Sequence, residues 1–149
     1  MWFATTGIAI STVSFICVCP PASAQAGDSG EVFALQAKAD QAQSRDRCFL
    51  YAELVSRLIE QAGQQFNSGD NDRASDTLKQ VQRYTQKIQL GIADDSKRLK
   101  NSELLVERSS HRLNDILYAA SYEDRPALEA TLKKLNQVQG QLMMQIFKK

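Results

Sequence analysis

From Leu78 to Ala120 one seam steps by three and four residues without a slip: Leu78, Val81, Thr85, Ile88, Ile92, Asp95, Leu99, Ser102, Val106, Ser109, Leu113, Ile116 and Ala120. That is the period of an α-helix; a half-buried strand would alternate by two. Nine of the thirteen positions are apolar. The pattern predicts a single coiled-coil-like helix from near Asp72 to Ala120, about 70 Å long at about 1.5 Å per residue. The polar members Thr85, Asp95, Ser102 and Ser109 weaken the seam and set its register.

Two further segments share this period. A first helix is expected from about Glu31 to Asn67. Its second half carries a broad apolar face, with Cys48, Ala52, Val55, Ile59, Ala62 and Phe66 on one stripe and Tyr51, Leu54 and Leu58 beside it. Phe49 and Leu50 widen the face, which suits more than one neighbouring helix. Its first half offers only a narrow seam of Val32, Leu35, Ala39 and Ala42. A third helix is expected from Ser121-Tyr122-Glu123-Asp124-Arg125-Pro126 to about Phe147, with Leu128, Leu132, Leu135, Val138, Leu142 and Ile146 as its seam. Ser121 with Asp124 resembles a capping box, and Pro126 suits a first helical turn. Beyond residue 24, Pro126 is the sole proline. So few breakers, in a chain rich in Gln, Leu, Ala, Lys and Arg, favour helix over sheet.

Asn67-Ser68-Gly69-Asp70-Asn71-Asp72 reads as a tight turn. Gly69 supplies the left-handed conformation that ends a helix, and Asp70 or Asp72 caps the next. So short a loop makes its two helices antiparallel. Ala62, Phe66, Gly69, Asp70, Ala74 and Leu78 resemble, in residue type and spacing, the inter-helix turn of a tetratricopeptide repeat. The resemblance covers half of one repeat and no second copy follows at the ~34-residue period. It implies a close-packed helical hairpin.

The expected fold is therefore all-α: an elongated antiparallel hairpin plus a shorter third helix. About 22 residues span roughly 33 Å, so the third helix, folded back, reaches only to about Arg98. That leaves the broad face of the first helix without cover. Either two chains pack together through Leu50, Tyr51, Leu54, Leu58 and Phe66, as a homodimer or with a protein partner, or the long helix breaks near Gly91 and the molecule closes as a four-helix bundle. Asp94 or Asp95 would cap the second half after such a break. The first course keeps the Leu78–Ala120 seam whole, and it is the primary expectation.

The first 24 residues differ in character. Met1–Ala24 contains no charged side chain, Ile8–Val18 is an apolar run too short to span a bilayer, and Pro20-Pro21 precede the small-x-small sequence Ala22-Ser23-Ala24. We read residues 1–24 as a signal peptide cleaved after Ala24, with Ala26 as a second position and a retained anchor as the alternative. Residues 25–30 form a flexible lead-in and residues 31–149 one helical domain. Cys17 and Cys19 lack the small preceding residue of a lipoprotein site. Cleavage leaves Cys48 as the one cysteine, read as a buried apolar side chain. The expected location is the periplasm or the exterior.

Motifs for chemistry are few. Eighteen basic against seventeen acidic residues give no global pull toward nucleic acid, and only Tyr84 interleaves the basic stretch Lys79–Arg112. Lys79, Arg83 and Lys87 lie along one helix face, a candidate contact for anionic envelope polymers. His111 is the sole histidine; with Glu107 and Asp115 it falls short of a zinc ligand set. There is no Cys-x-x-Cys-His for haem, no paired Glu-x-x-His for di-iron and no phosphate-binding glycine loop. No catalytic residue, cofactor or metal is assigned. The expected function is a non-enzymatic binding or scaffold protein of the cell envelope acting through its apolar helix face. The alternative is a four-helix bundle holding a small ligand or metal in the periplasm.

Overall fold

The structure is a computed structural model that describes residues 25–92 and 98–148, with side chains from residue 30 onward. The expected signal segment, its cleavage site and the Asp94–Asp95 cap lie outside the described residues. Those described form five α-helices: α1 (Gln25–Gln41), α2 (Ser44–Asn67), α3 (Asn71–Gly91), α4 (Leu99–Ala119) and α5 (Arg125–Phe147). The fold is all-α, and both long expected helices are interrupted.

The first interruption falls at Ala42-Gln43, where neither glycine nor proline marks it. Gln43 is extended (φ −63°, ψ 151°), and its carbonyl accepts from the backbone N–H groups of Asp46 and Arg47 at 3.0 and 3.1 Å. Arg47 Nη2 donates to the Ala42 carbonyl at 2.9 Å, so the break meets its own backbone needs. The lead-in expected at residues 25–30 belongs to α1, which begins at Gln25. No proline stands there, and its two glycines, Gly27 and Gly30, cost a helix only about 1 kcal/mol each. The second interruption follows Gly91, the last residue of α3. The continuous Asp72–Ala120 helix does not form.

At the Asn67–Asp72 turn the structure follows the sequence. Gly69 takes φ +78°, the left-handed region in which a Cβ is strained. Asp70 caps α3, its side chain accepting from the Arg73 N–H. Pro126 lies in the first turn of α5. Ser121 Oγ donates to the Asp124 carboxylate at 2.6 Å and accepts from the Asp124 N–H at 3.3 Å, half of the expected capping box.

The short turns make α2/α3 and α4/α5 antiparallel hairpins. The two hairpins lie side by side, α2 against α4 and α3 against α5. Corresponding ends meet: Asn71 at the start of α3 donates to Asp124 before α5 at 3.0 Å, and Gln82 donates to Thr131 at 2.8 Å. Arg112 late in α4 pairs with Glu60 late in α2. A Cβ added at Gly63 would meet Ile116 Cδ1 at 3.2 Å, so the glycine lets α4 come close to α2. Equivalent helices are therefore parallel, as in stacked helical units. Helix α1 packs on α2.

This arrangement contains a structural repeat. Cys48, Ala52, Val55 and Ile59 in α2 correspond, at constant chain separation, to Ser102, Val106, Ser109 and Leu113 in α4. Thr77, Val81, Tyr84 and Ile88 in α3 correspond to Thr131, Leu135, Val138 and Leu142 in α5. All of these are buried. The same separation relates Asp70 to Asp124, the residues preceding α3 and α5. One face breaks the symmetry. Leu50, Leu54 and Leu58 are buried, while their counterparts Leu104, Arg108 and Arg112 are exposed. A polar face of this kind ends a stack rather than extending it.

Leu50, Leu54 and Leu58 were expected to be a partner surface, as were Tyr51 and Phe66. In the structure they are interior. Leu50 is 5% exposed, Tyr51 4%, Leu54 0% and Leu58 1%, and Phe66 packs partly buried against the core. Breaking the long helix brings α3 and α4 onto α2, with α1 beside them. The broad face is then covered within one chain.

Core energetics give a paired prediction. Leu54→Ala opens a cavity at a fully buried position and is expected to lower unfolding free energy by about 3–5 kcal/mol. Among the described residues Ser109 Oγ is buried with no hydrogen-bond partner, so Ser109→Ala removes an unpaid desolvation and improves helix propensity. It is expected to raise stability by about 1 kcal/mol. Urea unfolding of both variants against wild type checks the opposite signs.

Candidate functional site

The densest polar cluster forms where the end of α1 meets α2 and α3. Its aromatic base follows from helix geometry: Tyr51 on α2 and Tyr84 on α3 face one another across the antiparallel hairpin. Their ring centroids are 5.8 Å apart at an interplanar angle of 23°, and both residues are buried. Lys87, one turn after Tyr84, places its ammonium 4.9 Å from the Tyr51 ring centroid and 5.3 Å from that of Tyr84. A cation over two ring faces gains from both quadrupoles.

Asp40, near the end of α1, closes the cluster. Its Oδ1 accepts from Tyr51 Oη at 2.7 Å and from Lys87 Nζ at 2.8 Å. Lys87 also donates to Tyr51 Oη at 3.3 Å. The hydrogen bonds from Lys87 and then Tyr51 hold the Asp40 carboxyl below its ordinary range. The bond to Asp40 raises Lys87 above its ordinary value, against a smaller opposing effect of burial. Burial first, then the bond to Asp40, pushes the Tyr51 hydroxyl up. Burial does the same to Tyr84. Every shift moves its group further from neutral pH. Such groups hold charges and orientations; an acid or base catalyst needs a pKa near the operating pH.

A groove of about 430 Å³ adjoins the cluster, lined by Ser44, Arg47, Tyr51, Lys87, Leu90 and Gly91. It exists because α2 begins where α3 ends: a Cβ added at Gly91 would meet Cys48 Cβ at 3.7 Å. A second groove, about 640 Å³, lies on the other side of the α1–α2 joint and has mixed charge, with Lys38 and Arg98 beside Asp46 and Glu53. The Arg98 guanidinium carbon sits 3.6 Å from the Phe49 ring centroid. A third, about 290 Å³, lies between α2 and α4. There Glu60 pairs with both Arg57 and Arg112.

The structure regroups the residues singled out in the sequence. Tyr51, taken from the apolar face, and Lys87, taken from the basic face, come together. Lys79 instead pairs with Asp76 within its own helix at 2.8 Å. Arg83 is exposed on the same helix. Sequence reasoning missed Asp40, Tyr84 and Arg47. Tyr84 and Lys87 lie three apart on a helix, a spacing that does signal a shared face; nothing local marks Asp40 as their partner. His111 is exposed on α4. Among the described residues no three His, Cys, Asp or Glu side chains converge as a metal site, and no helix is long and apolar enough to cross a membrane.

No family model, no curated protein and no solved structure matches this chain.

The cluster predicts a pH-dependent tie between α1 and the hairpin. A lowered carboxyl pKa contributes stability that is present above about pH 4 and lost as pH falls through the lowered value. A raised lysine pKa contributes stability that is present below about pH 10 and lost as pH rises through the raised value. Asp40→Asn is expected to cost about 1 kcal/mol at neutral pH and to speed amide exchange in α1. That gap stays flat from about pH 5 to 9 and closes as acid protonates Asp40 in the wild type. Urea titrations across pH with hydrogen exchange check both.

Proposed function

We propose that this chain is an exported, non-enzymatic helical binding or scaffold protein of the bacterial cell envelope. Its export segment is read from residues 1–24. The contact surface in this reading is no longer the apolar face of α2, which is internal, but the groove beside Tyr51 and Lys87.

One observation carries the binding role. The Asp40–Tyr51–Lys87–Tyr84 cluster is fixed by three hydrogen bonds and two ring contacts, with each pKa displaced away from neutrality, and it borders an open groove. A hydrogen-bonded rim that carries a lysine and a carboxylate beside a concavity suits recognition.

A second reading, a bundle that holds a small ligand internally, draws on Ser109 and Ser110. Their hydroxyl oxygens are buried with no hydrogen-bond partner among the described residues. Native mass spectrometry separates the two, since internal retention gives a co-purifying mass adduct and the first reading gives none.

Two results test the main proposal. Protein recovered from the periplasm of a bacterial host is expected to begin at Gln25 on N-terminal sequencing; retention in the cytoplasm with Met1 intact contradicts export. A photo-crosslinking amino acid placed at Leu90, beside the groove, is expected to give a discrete adduct in intact cells. The same group at exposed Glu129 on α5 is expected to give none.

A further inference from the structure

We propose that the groove between the start of α2 and the end of α3 binds a small oxyanion, a phosphate or carboxylate, attached to a short apolar group. This rests on the binding role argued above and names the chemistry of its ligand.

Among the described residues the lining supplies two cations, Arg47 and Lys87, and no carboxylate. The Asp40 carboxylate beside Lys87 stands outside that lining and is committed to Lys87 and Tyr51. Among the described residues both cations keep donors in reserve. An ammonium has three N–H bonds, and Lys87 gives two, to Asp40 and Tyr51. A guanidinium has five, and Arg47 gives one, to the Ala42 carbonyl.

Neither cation is loose. The Arg47 bond pins it to the α1–α2 break, and the Lys87 ammonium is held over two rings. Positioned donors bind an oxyanion with less ordering cost than free surface lysines. Ser44 adds a hydroxyl on the same wall. Opposite in character, Leu90 is 75% exposed although it closes the lining with Gly91. An exposed leucine beside two cations fits a ligand with a charged end and an apolar end. The size falls within the range of small-molecule sites.

The test uses the full chain, with phenyl phosphate and benzoate as anionic probes and benzyl alcohol as the neutral one. Amide chemical shifts report location and affinity. Saturable shifts at Ser44, Arg47, Lys87, Leu90 and Gly91 are expected with both anions and not with the alcohol. Arg47→Gln is expected to weaken phenyl phosphate about tenfold. The decisive comparison pairs Lys87→Gln with Asp40→Asn. Both loosen α1, but the first removes a cation from the groove and the second removes its internal competitor. Weakening by Lys87→Gln with unchanged or tighter binding in Asp40→Asn supports the proposal. Equal weakening by both overturns it, because the docking of α1 and not the charge would then govern binding. Shifts spread over Lys133 and Lys134, or no saturation at millimolar probe, also overturn it.

Phosphatidylglycerol vesicles distinguish the source: co-sedimentation reduced by Arg47→Gln assigns a lipid headgroup, and phenyl phosphate binding without such an effect assigns a soluble anion. If anion binding fails while the Leu90 adduct persists in cells, the ligand class is wrong and the binding role stands. If both fail, both are wrong.

Discussion

The broad apolar face of α2 is the constraint on which the rest of the structure depends. Cys48, Tyr51, Ala52, Leu54, Val55, Leu58, Ile59 and Ala62 are all buried, and they occupy too much of one helix circumference for a single neighbour to cover. Each additional buried side chain of Leu or Ile size contributes roughly 1.5–3 kcal/mol. Leaving half of that face in water would forfeit more than the few hydrogen bonds lost at a chain reversal. Both long helical stretches therefore break, at Ala42-Gln43 and after Gly91, and α2 is surrounded by α1, α3 and α4. The Leu78–Ala120 seam survives in composition but is divided between two helices.

Division of the seam also explains the polar residues within it. In a continuous coiled coil Thr85, Ser102 and Ser109 would be register devices. In the structure Thr85 Oγ1 donates to the Val81 carbonyl at 2.7 Å and Ser102 Oγ to the Arg98 carbonyl at 3.1 Å. Each hydroxyl satisfies itself on its own helix and leaves a small side chain at a helix contact. Thr131 in α5 does the same, donating to the Ala127 carbonyl at 2.8 Å while accepting from Gln82. The hairpins thus approach through small, internally satisfied residues. Ser109 and Ser110 are the exceptions.

Helix content was legible in the period of three and four, and the last helix and the Gly69 turn were legible nearly to the residue. Those signals are local. The break at Ala42-Gln43 was not, because its stabilising contacts come from Arg47 and the Gln43 carbonyl and involve no breaker residue. The break after Gly91 was visible only as an alternative, since the seam runs through it in register and local periodicity cannot weigh burial on a distant helix. The repeat is hard to read in the sequence because most corresponding core positions share burial and not identity: Cys48 with Ser102, Val55 with Ser109, Tyr84 with Val138. At the candidate site, Tyr51 and Lys87 were singled out for unrelated reasons. Their meeting, and the arrival of Asp40 from another helix, is a product of tertiary packing.

Enclosure of α2 requires α4 to run opposite to α3. Spin labels at positions 71 and 124, in a chain whose native cysteines are replaced by alanine, measure that directly by electron–electron distance. Asn71 and Asp124 are hydrogen-bonded at 3.0 Å, so the labels are expected to lie within about 20 Å, allowing for the tether lengths on this helix geometry. An unbroken helix would hold them roughly 75 Å apart at about 1.5 Å per residue. A dominant distance near that longer value, or one that depends on protein concentration, would contradict the enclosure of α2 within a single chain.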